Sequence, residues 1–466
     1  MKSDTIAAIA TAVSDSGIGI IRISGENAIE TADRIYRSRN NKKKLIDVES
    51  HTIHYGYIYD GDELVDEVMA VVMKAPNTYT KENTVEIDCH GGILVMHKIL
   101  DVVLKNGCRL AEPGEFTKRA FLNGRIDLSK AEAVMDVIHA KNEFALKSSV
   151  RQLKGSVSDK VRSLREEILY EIAFIESALD DPEHISLEGY TKKLEEKAVR
   201  INRQLEKLVD SAENGKVLKD GINTVIVGKP NAGKSSLLNI LVGEEKAIVT
   251  SFAGTTRDVL EESIKLHGIG LNMIDTAGIR DTNDEVEKIG VEKARKYAGN
   301  ADLILYVVDA SCRLDENDDE IMKLIAGKKV IVLLNKTDLE QVVTEEDIVK
   351  KMTSVSFDSG LVRVIKTSTK EHRGMDVFED TIKQIFFHGE IAVNDEIYIT
   401  NLRHKEALAE ARESMQMVLN SLADQMPEDF YSIDLMSAYA ALGRIIGEEV
   451  DDDLVNEIFG KFCMGK

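Results

Sequence analysis

Residues 228–235 read GKPNAGKS, and what flanks them decides the fold. Residues 224–227 before them have the apolar character of a buried strand, and residues 237–242 after them have that of a helix. A glycine-bearing loop between a strand and a helix is a phosphate-binding loop in the context it requires. Its glycines let backbone N–H groups wrap phosphates, and the helix N-terminus adds favourable partial charge. In that geometry Asn231, Ala232, Gly233, Lys234, Ser235 and Ser236 line the nucleotide. Lys234 reaches the β- and γ-phosphates, and Ser235 ligates Mg2+.

Three further elements follow in the order a guanine-nucleotide site demands. Thr250, Thr255 and Thr256 lie in a glycine-bearing loop, where Thr256 can complete the Mg2+ shell. Asp275, Thr276, Ala277 and Gly278 close an apolar run, with Asp275 holding Mg2+ through water and the Gly278 N–H sensing the γ-phosphate. Asn335, Lys336 and Asp338 close another. The Asp338 carboxylate accepts from guanine N1–H and the 2-amino group. Adenine offers neither, so the unpaired-group penalty selects GTP over ATP. Ile279 stands where Ras-type enzymes place the Gln that orients water, and Ile cannot do so. Asn231 with the oxygen-rich segment carrying Thr250, Phe252 and Thr255 can instead cage a monovalent cation, predicting hydrolysis driven by K+ and not Na+.

Composition places these motifs in a soluble globular chain of 466 residues, 43% hydrophobic and 30% charged, with room for about three domains of ~150 residues. No apolar run approaches the ~20 residues of a membrane helix. Asp4 beside Lys2, with Thr5 and Thr11 in the apolar stretch, argues against a signal peptide. Cys89, Cys108, Cys312 and Cys463 are scattered, which excludes a zinc pattern, disfavours a disulfide framework and points to the cytoplasm. A formal charge of −21 argues against gripping RNA over a broad surface without a basic partner. The one basic cluster, Arg37, Arg39, Lys42, Lys43 and Lys44, reads as a solvated loop or a contact patch.

Texture along the chain predicts an α+β N-terminal domain (1–120), a discontinuous all-α helical domain (121–218 and 386–466) and an inserted α/β P-loop GTPase domain (219–385). Residues 51–59 and 64–73 flank Asp60-Gly61-Asp62 as a hairpin, and residues 93–105 have helical periodicity ending at Gly107. Leu164, Ile168, Ile172 and Ile175 recur at helical spacing before Pro182. Cys89-His90-Gly91-Gly92 reads as a tight turn, since no nucleophile elbow accompanies it.

The combination of GKPNAGKSSLLN (228–239), TSFAGTTRD (250–258), DTAGIRDTNDEVEKIG (275–290), IIRISG (20–25), PGEFTKRAFLNGRIDLSKAEAV (113–134) and the terminal FCMGK (462–466) resembles the MnmE (TrmE) family of tRNA-modification GTPases along the whole chain. The resemblance implies a folate-binding, dimerising N-terminal domain and GTPase domains that pair and are activated by K+. It also implies a homodimer acting with the flavoprotein MnmG, on which FAD and NADH are expected. Together they would add an aminomethyl-type group at C5 of the wobble uridine of certain tRNAs, using a tetrahydrofolate one-carbon unit, with the tRNA contacted largely through the partner. By position it implies Arg22, Glu82, Arg125 and Lys466 at the folate, and Glu287 orienting water. Arg257 and Arg280 would couple domains.

The residues leave other readings open. Arg22 also fits a buried ion pair, Glu82 a surface charge, and Glu287 an acid favoured by a helix N-terminus. The resemblance implies a Ser-Ala-Lys segment whose backbone contacts guanine O6, which here is Ser368-Thr369-Lys370, and residues 13–20, VSDSGIGI, depart from the family's Pro-rich turn. The terminal sequence is no prenylation box, because it ends in Lys and carries Gly465. Cys463 then either takes part in one-carbon transfer or packs as a small hydrophobe. Two alternatives for the whole chain are a ribosome-assembly GTPase and a folate carrier switched by GTP.

Overall fold

The computed structural model describes residues 4–40, 42–184, 189–243, 262–266, 269–274, 299, 301–354, 362–387, 397–448, 450, 452–463 and 465. The chain divides into two compact units. One comprises Met1–Ile138, Val150–Asn202 and Glu410–Lys466, and the other His139–Ser149 and Arg203–Ala409.

The first unit begins with a seven-stranded sheet in the order β3-β4-β5-β6-β2-β1-β7. Its strands are β1 (Ile6–Ile9), β2 (Ser16–Ser24), β3 (Tyr36–Ser38), β4 (Thr52–Asp60), β5 (Glu63–Met73), β6 (Thr84–Gly91) and β7 (Arg109–Leu110). All pairings are antiparallel except that of β1 with β7. The predicted hairpin is β4–β5, turning at Gly61 with φ 63°. Strand alternation turns Ala7, Ile21, Ile23, Val85 and Ile87 to one face, where they form a core with Ala32, Ile35, Met96 and Ile99 of the helices Ala28–Ile35 and Ile93–Lys105. On the other face Ile6 and Ala8 pack on Phe116 of the helix Glu115–Leu122. Residues 89–92 are not the tight turn expected. Strand β6 runs to Gly91, and Gly92 caps the following helix.

Helices from distant parts of the chain complete this unit. Ser156–Asp180 buries Leu164, Ile168, Ile172 and Ile175, the residues whose spacing predicted it, and packs against Glu428–Ile446. Arg165 is buried between them, paired with Glu448 and stacked 3.9 Å from the Tyr439 ring centroid. The helical part is therefore discontinuous, built from segments that come before and after residues 203–409 in the chain.

The second unit holds a six-stranded sheet, β13-β12-β11-β8-β10-β9. Its strands are β8 (Ile222–Val227), β9 (Glu262–Leu266), β10 (Ile269–Met273), β11 (Leu303–Asp309), β12 (Val330–Asn335) and β13 (Val362–Lys366). Only β9 runs antiparallel. The central strands are continuous apolar runs because both faces are covered, as parallel sheets require. Leu303, Leu305 and Val307 face one core with Leu237, Phe378 and Ile382, while Ile304, Tyr306 and Val308 face another with Ile321, Ile348 and Met352. Strand β8 lies between β10 and β11, where the chain crosses from one side of the sheet to the other. That crevice, at the strands' carboxyl ends, is where ligands bind in open α/β sheets. No helix among the described residues is long and apolar enough to cross a membrane.

Phe378 lies fully buried in the core of the second unit. Phe378→Ala is expected to cost about 3–5 kcal/mol, read as faster hydrogen exchange of β8, β11 and β12 amides. Leu94→Ala, at a position 81% exposed, should shift exchange by less than about 0.5 kcal/mol.

Candidate functional site

In the second unit the loop after β8 enters the helix Lys234–Gly243. Gly228 and Gly233 adopt φ 148° and 104°. A Cβ on Gly228 would strike the Val307 carbonyl, and one on Gly233 the Asn335 amide, so both positions exclude side chains. Asn231 is held at φ 62° at the exposed crest. Lys234 Nζ donates to the carbonyls of Gly228 at 2.8 Å and Lys229 at 2.6 Å, folding its ammonium over the loop. Ser235 and Ser236 are exposed in the first turn of the helix.

The second loop meets the first through Asn335. Its side chain is 1% exposed. Nδ2 donates to the Ala232 carbonyl at 2.9 Å and to Thr369 Oγ1 at 3.3 Å, while Oδ1 accepts from Thr369 N at 3.0 Å. One carboxamide thus joins the phosphate-type loop, the end of β12 and the loop after β13. Lys336, at φ 63°, pairs with Asp309 Oδ2 at 2.6 Å. Asp338 Oδ1 accepts from Ser368 Oγ at 2.8 Å, and that hydroxyl accepts from Glu371 N. The Ser368 hydroxyl holds the Asp338 carboxyl below the usual carboxylate range, leaving an ionised acceptor. Asn231, Ala232, Gly233, Lys234, Asn335, Lys336, Asp338, Ser368 and Thr369 therefore gather at one edge of the sheet. Thr250, Phe252, Thr255, Thr256, Asp275, Thr276, Ala277, Gly278 and Glu287 lie outside the described residues, as do Arg257 and Arg280.

The first unit assembles a different constellation. Arg22 on β2 faces Glu86 on β6 in register, and their side chains pair at 2.7 Å. Arg22 forms the ion pair the sequence allowed, though half-buried and not buried, and the same guanidinium does more. Its Nη1 donates to the Gly465 carbonyl at 3.0 Å, and its Cζ lies 5.9 Å from the Tyr79 and 5.7 Å from the Phe116 ring centroids. Arg125 stacks on the same Tyr79 ring at 4.7 Å. Glu82 is not the solvated surface charge the sequence also allowed. Its carboxylate accepts from Ser24 Oγ at 2.8 Å and pairs with Arg119 at 3.2 Å. Arg119 also pairs with Asp4 at 2.7 Å and Glu115 at 2.9 Å, and Glu115 with Arg109 at 2.6 Å.

The motif beginning Pro113-Gly114-Glu115-Phe116 acquires a physical account. Gly114, at φ 69°, admits the end of the helix Asp452–Gly460, because a Cβ there would strike the Phe459 carbonyl. Glu115 anchors the arginines, and Phe116 lies beneath Arg22. The tail is held by Gly114 N donating to the Cys463 carbonyl at 3.4 Å, by buried Phe462, and by Gly465 at φ 85° against Ile9 and Ala10. Cys463 itself is exposed, which removes the packing reading: its thiol fills no core. Lys466 lies outside the described residues. Sequence reading missed Tyr79, Glu86, Phe116 and Arg119. Tyr79 lies within TYTKEN (78–83), and Phe116 and Arg119 within PGEFTKRAF (113–121), so the signal was present without a role attached.

The ion network sets a pH dependence. Arg109 holds the Asp4 carboxyl below its ordinary value, and for Glu115 burial opposes ionisation but is outweighed by Arg109 and Arg119. Folded-state values lie below unfolded ones, so the stabilisation is full above about pH 4–4.5 and is lost as pH falls through the folded values. Glu115→Gln should cost about 3 kcal/mol at pH 7 and less towards pH 3, checked by urea denaturation of the first unit across that range.

Comparisons with known proteins bear on the family of the chain. Residues 128–463 match the model described as MnmE helical domain, and residues 5–125 that described as GTP-binding protein TrmE N-terminus. Over 466 residues, spanning both chains in full, the chain is 57% identical to the tRNA modification GTPase MnmE of Lachnoclostridium phytofermentans. It is 48% identical to that of Clostridioides difficile over 99% of both chains, and 47% identical to that of Listeria welshimeri over the full length of both. With two family models laid end to end over its length and full-length relatives at these identities, the chain belongs to the MnmE family of tRNA-modification GTPases.

Proposed function

We propose that this GTPase binds GTP at the gathered loops of its second unit and a reduced folate at the arginine cluster of its first, and couples the two to modify the wobble uridine of tRNA. The observation that carries the nucleotide half is Asn335, whose buried carboxamide ties the base-reading strand end to the phosphate-type loop at Ala232. The fit of GTP is supported by two glycines where side chains are excluded, and by a helix N-terminus behind them. Lys234 would bring its ammonium to the β- and γ-phosphates, and Asp338 would accept from guanine N1–H and N2–H. Ser368 and Thr369 would present the O6 contact. Ser235 and Thr256 would hold Mg2+, which neutralises phosphate charge when bound. Thr250, Thr255, Asp275, Thr276, Ala277 and Gly278 complete the pocket in this reading, Glu287 orients the water, and Asn231, Thr250, Phe252 and Thr255 hold K+.

The folate half rests on the convergence of Arg22 and Arg125 on Tyr79, with the tail carbonyl of Gly465 on Arg22. Two guanidiniums suit the glutamate tail of a folate, and Glu82, fixed by Arg119, can pair with pterin N–H groups. Lys466 follows Gly465 and adds a cation. A bound folate would supply a one-carbon unit, and Cys463, exposed on the docked tail, would take part in its transfer to C5 of uridine, with an amine co-substrate providing the nitrogen of the aminomethyl-type group and the reduced flavin of the partner the electrons. The proposal retains the four-part division 1–120, 121–218, 219–385 and 386–466, a cytoplasmic homodimer, and the partner MnmG with FAD and NADH. A net charge of −21 favours tRNA contact through that partner.

GTP hydrolysis should rise sharply in K+ and stay low in Na+ at equal ionic strength; equal rates would remove the monovalent-cation assignment. Mass spectrometry of tRNA nucleosides tests the chemistry, in cells lacking this chain and complemented with nothing, wild type or Cys463→Ser. Restoration by wild type alone, with GTP hydrolysis intact in the variant, places Cys463 in the reaction. Restoration by both removes that role, and a modification never lost refutes the tRNA function. Loss of product with GTPase intact also argues against a mere carrier.

A further inference from the structure

Lys229 is the second residue of the phosphate-type loop, and nothing in the proposed nucleotide contacts uses its side chain. Its Nζ lies 2.8 Å from Asp318 Oδ2 and 3.0 Å from Asp315 Oδ2. The two carboxylates are placed before Lys229 reaches them. Asp315 caps the helix Glu316–Leu324, accepting from Asn317 N and Asp318 N, and Asp318 Oδ2 accepts from Asp315 N in return. Asp318, 1% exposed, also accepts from the Tyr306 hydroxyl at 2.7 Å, and Tyr306 is fully buried on β11. Lys229 therefore joins a pair of anions already held in place by the helix cap, and its side chain is only 18% exposed. Burial alone would favour the neutral amine, but Asp318 and Asp315 outweigh it and keep Lys229 charged.

The same connection begins at Asp309, where β11 ends. Asp309 Oδ2 pairs with Lys336, and its Oδ1 accepts from Ser311 N at 2.9 Å and Ser311 Oγ at 2.6 Å. Partial burial works against the Asp309 charge, and Lys336 with Ser311 overcomes it. Residues 309–318 thus form a strap with a carboxylate on the base-reading loop at one end and two on the phosphate-type loop at the other. The strap starts beside Asn335, whose backbone carbonyl accepts from Ala310 N at 2.9 Å, and reaches the phosphate-type loop by a second route, through Lys229.

We propose that Lys229 is a positioning residue for nucleotide binding: it fixes the phosphate loop to this strap, so that the loop's N–H groups and the carbonyls that hold Lys234 are aimed in advance. The proposal rests on the reading of this loop as the GTP site. A loop free to sample other conformers binds more weakly in proportion to the competent fraction, without changing the chemistry once GTP is seated.

The test uses the full-length protein, fluorescent GDP and GTP analogues in stopped flow, and steady-state hydrolysis. Lys229→Met should raise the GDP dissociation rate and the KM for GTP about five- to tenfold, with kcat within about twofold. Lys229→Arg should restore both. Asp315→Asn keeps the helix cap, since Asn caps as well as Asp, and should show part of the same effect. Combining it with Lys229→Met should add nothing to Lys229→Met alone. Unchanged release and KM in Lys229→Met would overturn the proposal, as would a fall in kcat with KM untouched. Should Lys229→Met fail to fold by circular dichroism, unchanged release in Asp315→Asn is the overturning result. Lys234→Ala separates the two levels: if it binds nucleotide as tightly as wild type, the site reading itself is wrong.

Discussion

A single buried carboxamide organises the second unit. Asn335 satisfies its donors and acceptor on Ala232 and Thr369, so three loops that are far apart in sequence share one set of hydrogen bonds. A buried polar group must be paired or it costs ~1–3 kcal/mol, and this requirement makes the contact specific as well as stabilising. Gly233 has no side chain because a Cβ would occupy the place of that amide. The glycine in the loop and the asparagine at the strand end are therefore two halves of one constraint. The charged pairs around it, Lys336 with Asp309 and Lys229 with Asp315 and Asp318, act from the periphery on a geometry that Asn335 already defines.

The first unit answers a different problem, which is how to keep arginines available beside apolar surface. Arg22 projects from a sheet face lined by Ile6, Ala8 and Phe116, and remains there because Glu86 lies opposite it in register. Arg119 is held by three carboxylates, of which Glu82 belongs to the loop that also carries Tyr79. The tail closes this arrangement. Two glycines at positive φ, Gly114 and Gly465, let backbone approach backbone, and the Gly465 carbonyl ends on Arg22. The result is an exposed cysteine on a tail held by buried Phe462 before it and by Gly465 against Ile9 and Ala10 after it.

Much of this was legible before any coordinates. The loop 228–235, the strand end at 335–338 and the helical periodicity of Leu164, Ile168, Ile172 and Ile175 before Pro182 are local patterns, written by glycines, periodicity and residue type within a few positions. Backbone conformation over such short spans depends on residues adjacent in the chain, which is why the β4–β5 hairpin and the helix at 93–105 emerged with nearly correct limits. The family resemblance pointed to Arg22, Glu82 and Arg125, and the fold gathers them. The tight turn expected at 89–92 failed because β2 pairs with Cys89 and Gly91 and draws them into the sheet, overriding local glycine preference.

The sequence by itself determined the phosphate-type loop and the strand–helix alternation around it, because both are written by neighbouring residues. Tertiary structure alone decided the partners. With 81 acidic and 60 basic side chains, no pattern says that Arg22 pairs with Glu86, Arg119 with Glu82 or Lys229 with Asp318. Those choices follow from sheet register and from which helix end arrives beside which loop. Arg22 and Gly465 are separated by nearly the whole chain, and only folding brings the guanidinium to the carbonyl. Local geometry is encoded locally; charge pairing is an outcome of the packing that surrounds it.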